Sequence, residues 1–174
     1  LSGATLLVPV LELAVVLHID LLRQAASEAV ATRLSPAICA AAWALAESHA
    51  LPELEAASRA EALCSFESLV RMGVISAMPL QRLCSLLRDD GLCAASEESI
   101  FDAVCGWYNA RRPRVTEDDV AQLLSLVRFP LMSAAFITER VMVAPLMQSH
   151  QAKDQLTRAL LAEAALSSPI STRW

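Results

Sequence analysis

The sequence has four glycines in 174 residues, and only 5% of it is aromatic. So few glycines leave little room for tight turns. So few rings mean that the core must come from Leu, Ala and Val, within a chain that is 55% hydrophobic, a mix that favours close-packed helices. No segment alternates polar and apolar residues long enough for a strand, and no fixed period of ~30 to 50 residues recurs. An all-α fold of stacked antiparallel helix pairs follows, in a chain long enough to bury about 70% of its unfolded surface.

Positive charge is also short. Lys and Arg number 14 against 19 Asp and Glu, a net charge of -5, so nothing draws the chain to DNA, RNA or an anionic membrane. Arg111, Arg112 and Arg114 cluster around Pro113 and read as a solvated helix end that offsets the dipole. The most membrane-like run, "ATLLVPVLELAVVLHI" from Ala4 to Ile19, is too short to span a bilayer and carries Pro9 and Glu12. It reads as a buried helix. The chain opens on Leu1, as expected of a piece of something longer.

The patterns of catalysis and metal binding are missing as well: HExxH, GxSxG, the P-loop, the dinucleotide glycines and zinc-spaced Cys/His pairs. His18 and His49 fall near helix ends, where a partly buried, hydrogen-bonded imidazole is the commoner role, and His150 falls in a polar connector. The acid pairs Asp89/Asp90, Glu97/Glu98 and Asp118/Asp119 lie at helix starts or ends, where the dipole or a turn explains them. No catalytic residue, cofactor or metal is expected. Cys39, Cys64, Cys84, Cys93 and Cys105 are odd in number, never two or three apart, and read as buried small hydrophobes in a reducing compartment, cytosol or nucleus.

What is present is a series of helices. Leu11, Ala14, Val15 and His18 keep helical spacing, and Asp20 offers a cap for a second helix to about Leu34. Ser35 and Pro36 open a third, with Ile38, Cys39, Ala42, Leu45, Ala46 and His49 on one face. A longer helix is expected from Pro52 toward Met72, with Leu54, Ala57, Leu63, Phe66 and Val70 inward and a stop at Gly73. Pro79 starts "LCSLL", Leu83 to Leu87, whose LxxLL spacing reads as this helix's own core stripe. Ser96 caps the next helix, with Glu97 and Glu98 opposing its dipole and Ile100, Phe101, Val104, Cys105, Trp107 and Tyr108 packed on several sides. Thr116 caps a helix with Val120, Leu123, Leu124 and Val127 as its stripe, closed by Pro130. A short helix from Ser133 and a last one from about His150 to Leu166 complete the series, with a frayed end at "SSPISTRW".

The phrases resemble, in order, the BACK domain of BTB-Kelch proteins. "LSPAICAAAWALAESHALPEL", Leu34 to Leu54, is similar to its opening, with Pro36, Cys39, Ala46, Glu47, His49 and Leu54 in place. "MPLQRLCSLLRDDGLCAASEESIFDAVCGWY" resembles its central run and "VRFPLMSAAFI" the segment that follows. Upstream, "LELAVVLHIDLLRQAASEAVATRL" is similar to the end of a BTB domain. Trp43 and Ile38 depart from the usual pattern, in which a polar or basic residue and an Asn are common at these places.

The resemblance implies residues 1–34 as the C-terminal helices of a BTB domain, 35–166 as a BACK domain and 167–174 as a flexible tail. It implies a cytoplasmic, non-enzymatic adaptor for a cullin-RING ubiquitin ligase, dimeric through the rest of BTB, with a substrate protein held by a domain outside this chain. Its first helix pair, roughly Leu34 to Leu63, would form a groove for the arm of a cullin N-terminal domain, with Ile38, Cys39, Ala42, Trp43, Leu51 and Leu54 as groove candidates. The alternative is a BTB-BACK scaffold, cytoskeletal or transcriptional, that never binds a cullin.

Overall fold

The computed structural model describes residues 3–167, and among them no strand occurs. The fold is all-α. Two compact units are present: one runs through Val74 and takes in Asp89–Cys93, and the other comprises Ile75–Arg88 and the chain from Ala94 onward. Apart from Ser167, the expected tail lies outside the described residues.

The first unit holds α1 (Gly3–Val16), α2 (Asp20–Ala31), α3 (Pro36–Ser48), α4 (Pro52–Cys64) and α5 (Phe66–Arg71). Its main pairings are α1 with α2 and α3 with α4. Pro36 and Pro52 sit in first turns, where a backbone N–H has no helical partner to lose. Leu11, Val15, Ala26, Val30, Ala42, Ala46, Leu51 and Leu54 form its core, one cluster drawn from all four long helices. Each large aliphatic buried this way contributes about 1.5–3 kcal/mol.

Several local expectations need correction here. Asp20 does not cap α2 with its side chain; it is the first helical residue and pairs instead with Arg23 at 3.2 Å. The helix ends at Ala31, short of Leu34, and Ser35, at the N-cap of α3, makes no side-chain cap. The long helix expected from Pro52 breaks at Ser65, whose φ of -102° and ψ of 18° leave the helical basin and whose hydroxyl donates to Glu61 at 2.7 Å. The inward positions are therefore Leu54, Ser58, Ala62, Phe66 and Leu69, while Ala57, Leu63 and Val70 are half-buried. Gly73 does end α5, with φ +73°.

With glycine scarce, other residues take the left-handed positions. His18 (φ 54°) and Ala50 (φ 50°) terminate α1 and α3. In each case the next N–H reaches back to a helical carbonyl, Ile19 to Ala14 at 3.0 Å and Leu51 to Ala46 at 2.9 Å, the closure usually built on Gly.

The second unit holds most of α6 (Val74–Ala77), then α7 (Leu80–Leu87), α8 (Glu97–Arg111), α9 (Glu117–Leu124), α10 (Ala134–Phe136) and α11 (His150–Ser167). Leu83, Cys84, Leu86 and Leu87 are all buried, so LCSLL is core stripe, as its periodicity predicts. Ser96 accepts from Ser99 N at 3.2 Å, and Thr116 with Asp119 completes a capping box. The Thr116 helix stops at Leu124, although Val127 beyond it is still buried, and Pro130 falls in a 3-10 turn. Phe101 meets Phe129 and Phe136 edge-on, with centroids 6.2 and 6.1 Å away.

Two features of α8 exceed what capping and dipole arguments predict. Glu97 accepts the N–H of Arg128 at 2.7 Å and Glu98 that of Ser133 at 3.1 Å, so the acid pair ties down a distant stretch of chain. Arg111 is not simply solvated: it donates to the carbonyls of Ala77, at 2.8 Å, and Met78, and its guanidinium lies 4.9 Å from the Trp107 ring centre.

Candidate functional site

His18 and His49 are exposed rather than partly buried; His18 Nδ1 donates to Val15 O at 3.1 Å, and His150, the first residue of α11, meets Asp154 at 3.1 Å. Among the described residues, no three His, Cys, Asp or Glu side chains gather where they could hold a metal ion. No described helix is long and apolar enough to cross a membrane.

The thiols divide by environment. Cys39 and Cys84 are buried and Cys105 is half-buried, but Cys64 and Cys93 are exposed, against the expectation that all five would pack as small hydrophobes. Burial pushes the Cys84 thiol up, and pushes Cys105 up to about 12 with help from Asp102. Asp89 is held below the usual carboxylate range by the Gly91 N–H and Arg59, and Glu98 by the Ser133 hydroxyl and N–H. Each shift has a local structural partner.

The groove candidates lie on α3 and at the start of α4. All six are at most 7% exposed. Ala42, Leu51 and Leu54 share the core cluster with α1 and α2. Ile38 and Trp43 are buried on α3, where the Cys39 thiol donates to the Ser58 carbonyl of α4 at 3.1 Å. Leu51 and Leu54 have a second role: they wall a depression of about 280 Å³ whose other lining includes Arg23, Gln24, Ser27 and Glu28 of α2 and Pro52 and Glu53 of α4. Ala50 and Pro52 are its exposed apolar lining, Leu51 and Leu54 lie almost wholly buried behind them, and Arg23, Glu28 and Glu53 bring both signs of charge.

The α2 side of this depression was not singled out from sequence. The available signal was the spacing of Arg23, Gln24, Ser27 and Glu28, which places them together on the polar side of an amphipathic helix. Nothing local in the chain says that this side faces the turn at Ala50–Pro52.

Residues 39–142 match the sequence profile of BACK, "BTB And C-terminal Kelch". The chain belongs to the BACK family. It is similar to Kelch-like protein 2 of Homo sapiens, 28% identical over 145 residues that cover 83% of this chain and 24% of that protein. It is similar to Kelch-like protein 3 of Danio rerio, 30% identical over 140 residues covering 79% and 23%, and to that of Mus musculus, 28% identical over 139 residues covering 79% and 24%. The chain thus spans about a quarter of the length of these relatives. The BACK match begins at Cys39, inside α3, and ends at Met142, just past a π turn at Ile137–Val141. Alignments of 139 to 145 residues are longer than that range, so similarity to the Kelch-like proteins extends beyond it.

Proposed function

We propose that this chain is the non-enzymatic adaptor part of a substrate receptor for a cullin-RING ubiquitin ligase. In this reading residues 1–34 are the last helices of a BTB domain, 35–166 are the BACK domain, and the first helix pair of BACK takes an extended arm of the cullin N-terminal domain. BACK then spaces BTB from a substrate-binding domain outside this chain, with dimerisation through the rest of BTB, in the cytoplasm and without a cofactor.

The observation that carries the reading is the depression against Leu51 and Leu54. An extended segment can lay one apolar side chain against Ala50 and Pro52, which Leu51 and Leu54 back from the core, while its backbone meets the polar rim, and the cost of ordering it makes the contact a supplement to a larger interface. Ile38, Cys39, Ala42 and Trp43 would hold that wall in place from beneath. Leu6, Leu13 and Val16 of α1, Leu17 in the turn that follows and Leu21 of α2 are exposed, which suits helices with more of BTB to cover them.

The test is calorimetric titration of the full-length protein with a cullin N-terminal domain, as wild type and as Gln24→Trp, which fills the depression without touching the core. Tight binding that weakens about tenfold or more, ~1.4 kcal/mol, in a variant that melts normally supports both the ligase role and the groove. A well-folded full-length protein that does not bind overturns the reading and leaves a cullin-independent BTB-BACK scaffold, cytoskeletal or transcriptional.

A further inference from the structure

Cys64 is the last residue of α4, and Cys93 closes the Asp89–Cys93 segment of the same compact unit. Two contacts hold that segment against α4. Arg59 pairs with Asp89 at 2.9 Å, and the Cys93 N–H donates to the carbonyl of Leu63, the residue before Cys64, at 3.0 Å, while the Cys93 thiol donates to the Gly91 carbonyl at 3.6 Å. Both thiols are exposed, unlike the other three.

We propose that Cys64 and Cys93 are a reversible thiol–disulfide pair, oxidised by a low-molecular-weight disulfide, whose closed form fastens the 89–93 segment covalently to the C-terminal end of α4. This site is independent of any cullin role. The bond from the Cys93 N–H to the Leu63 carbonyl sets the backbones of Cys64 and Cys93 side by side, and from there the two sulfurs reach S–S bonding distance by side-chain rotation, which frees the Cys93 thiol from the Gly91 carbonyl, and a small backbone adjustment. The Asp89 pair and the Cys93 N–H bond hold the chain in register for it.

The chemistry balances in two exchanges. One protein thiolate attacks a sulfur of the small disulfide, whose S–S bond breaks; a mixed disulfide forms and one small thiolate leaves and takes up a proton. The second cysteine then attacks the protein sulfur of the mixed disulfide and expels the other small thiol. In sum the two protein thiols lose two electrons and two protons, and the small disulfide gains them to become two thiols.

The surroundings favour keeping the bond once it is made. Around Cys64, partial loss of hydration, the neighbouring Cys93 and the Glu61 carboxylate all push the thiol up. Cys64 therefore lacks the stabilised thiolate that makes strongly oxidising pairs easy to reduce.

The test equilibrates the full chain in buffers of stepped oxidised-to-reduced glutathione ratio, traps thiols with N-ethylmaleimide and maps the peptides by mass spectrometry. The expected result is loss of two of the five titratable thiols, with a Cys64–Cys93 cross-linked peptide that dithiothreitol removes. Cys64→Ser or Cys93→Ser should abolish the cross-link and leave a single glutathione adduct on the remaining partner. The wild-type map decides the matter whether or not those variants fold well. Separate glutathione adducts on both cysteines, or cross-links that run between chains or to another cysteine, overturn the proposal.

Discussion

Glu98 accepts two hydrogen bonds from Ser133, one from its backbone N–H at 3.1 Å and one from its hydroxyl at 2.7 Å. Ser133 in turn caps α10, accepting the N–H of Phe136 at 3.2 Å. A carboxylate at the start of one helix thus positions the cap of another. Because these donors hold the Glu98 carboxyl below its usual range, its contribution to stability is present above the unfolded carboxylate range and is lost as pH falls through the folded value. Thermal melts between about pH 7 and pH 3 should show Glu98→Gln less stable than wild type at neutral pH, with the gap closing as the medium becomes acid. A gap that stays constant with pH would mean that Glu98 acts by shape alone.

The Met78 carbonyl is an acceptor shared by two side chains of α8. Trp107 Nε1 donates to it at 2.7 Å, and Arg111 donates to it as well. Trp107→Phe should cost about 1–3 kcal/mol, from the lost bond and the changed ring. Either single variant leaves the carbonyl one donor. The double variant Trp107→Phe with Arg111→Met leaves it none, so the pair should lose more than the sum of the singles, by about 1 kcal/mol. Denaturant titration of the four proteins checks this, and strict additivity would show that the two donors act independently.

Helix identity was legible wherever the chain carried its own punctuation. Pro36, Pro52, Ser96, Thr116 and Gly73 each set an end by a local mechanism, a missing N–H, a side-chain cap or a positive φ, and those ends fall where the sequence puts them. The break at Ser65 was not legible, because apolar periodicity continues through it and no Pro or Gly marks it. The sharing of Glu97 and Glu98 with residues 128 and 133 is tertiary, and charge at a helix start carries no information about it. The same holds for Cys64 and Cys93, which no spacing rule links. Of the candidate site, Leu51 and Leu54 were named through the resemblance to the first helix pair of BACK, while the α2 side of the depression depends on how two helix pairs dock.

Ala50 carries a conformation that suits glycine. Its φ of 50° lies in the left-handed region, which costs a residue with a Cβ about 1–2 kcal/mol. Ala50→Gly removes that strain and adds about 0.5–1 kcal/mol of unfolded-chain entropy against it. A net gain of up to about 1.5 kcal/mol should raise the melting temperature, by up to about 6 °C. Ala50→Val, with a β-branched side chain at the same φ, should lower it.

Ser58 is fully buried on α4, and its hydroxyl has no hydrogen-bond partner among the described residues. Its carbonyl is the group that Cys39 uses, so the side chain is not needed for that contact. A buried hydroxyl without a partner costs about 1–3 kcal/mol, and removing one oxygen leaves only a small void. Ser58→Ala should therefore be neutral or stabilising by about 1 kcal/mol in denaturant titrations. A marked loss would show that the hydroxyl is engaged in the folded protein.

Trp43 marks the difference between forming a docking surface and supporting one. At 2% exposure it is a core residue of α3, and Trp43→Ala should lose about 3–5 kcal/mol, which lowers the melting temperature by roughly 6–20 °C. Any loss of partner binding in that variant would follow from lost folding. Gln24→Trp changes an exposed position that lines the depression, so its stability should stay within about 0.5 kcal/mol of wild type. Measured side by side, the two separate the cases. If binding to a cullin N-terminal domain falls with Gln24→Trp while the melt does not move, the surface beside Leu51 and Leu54 is the contact and Trp43 is its foundation. If binding follows the melting temperature in both, the contact lies elsewhere and the first helix pair only keeps the chain folded.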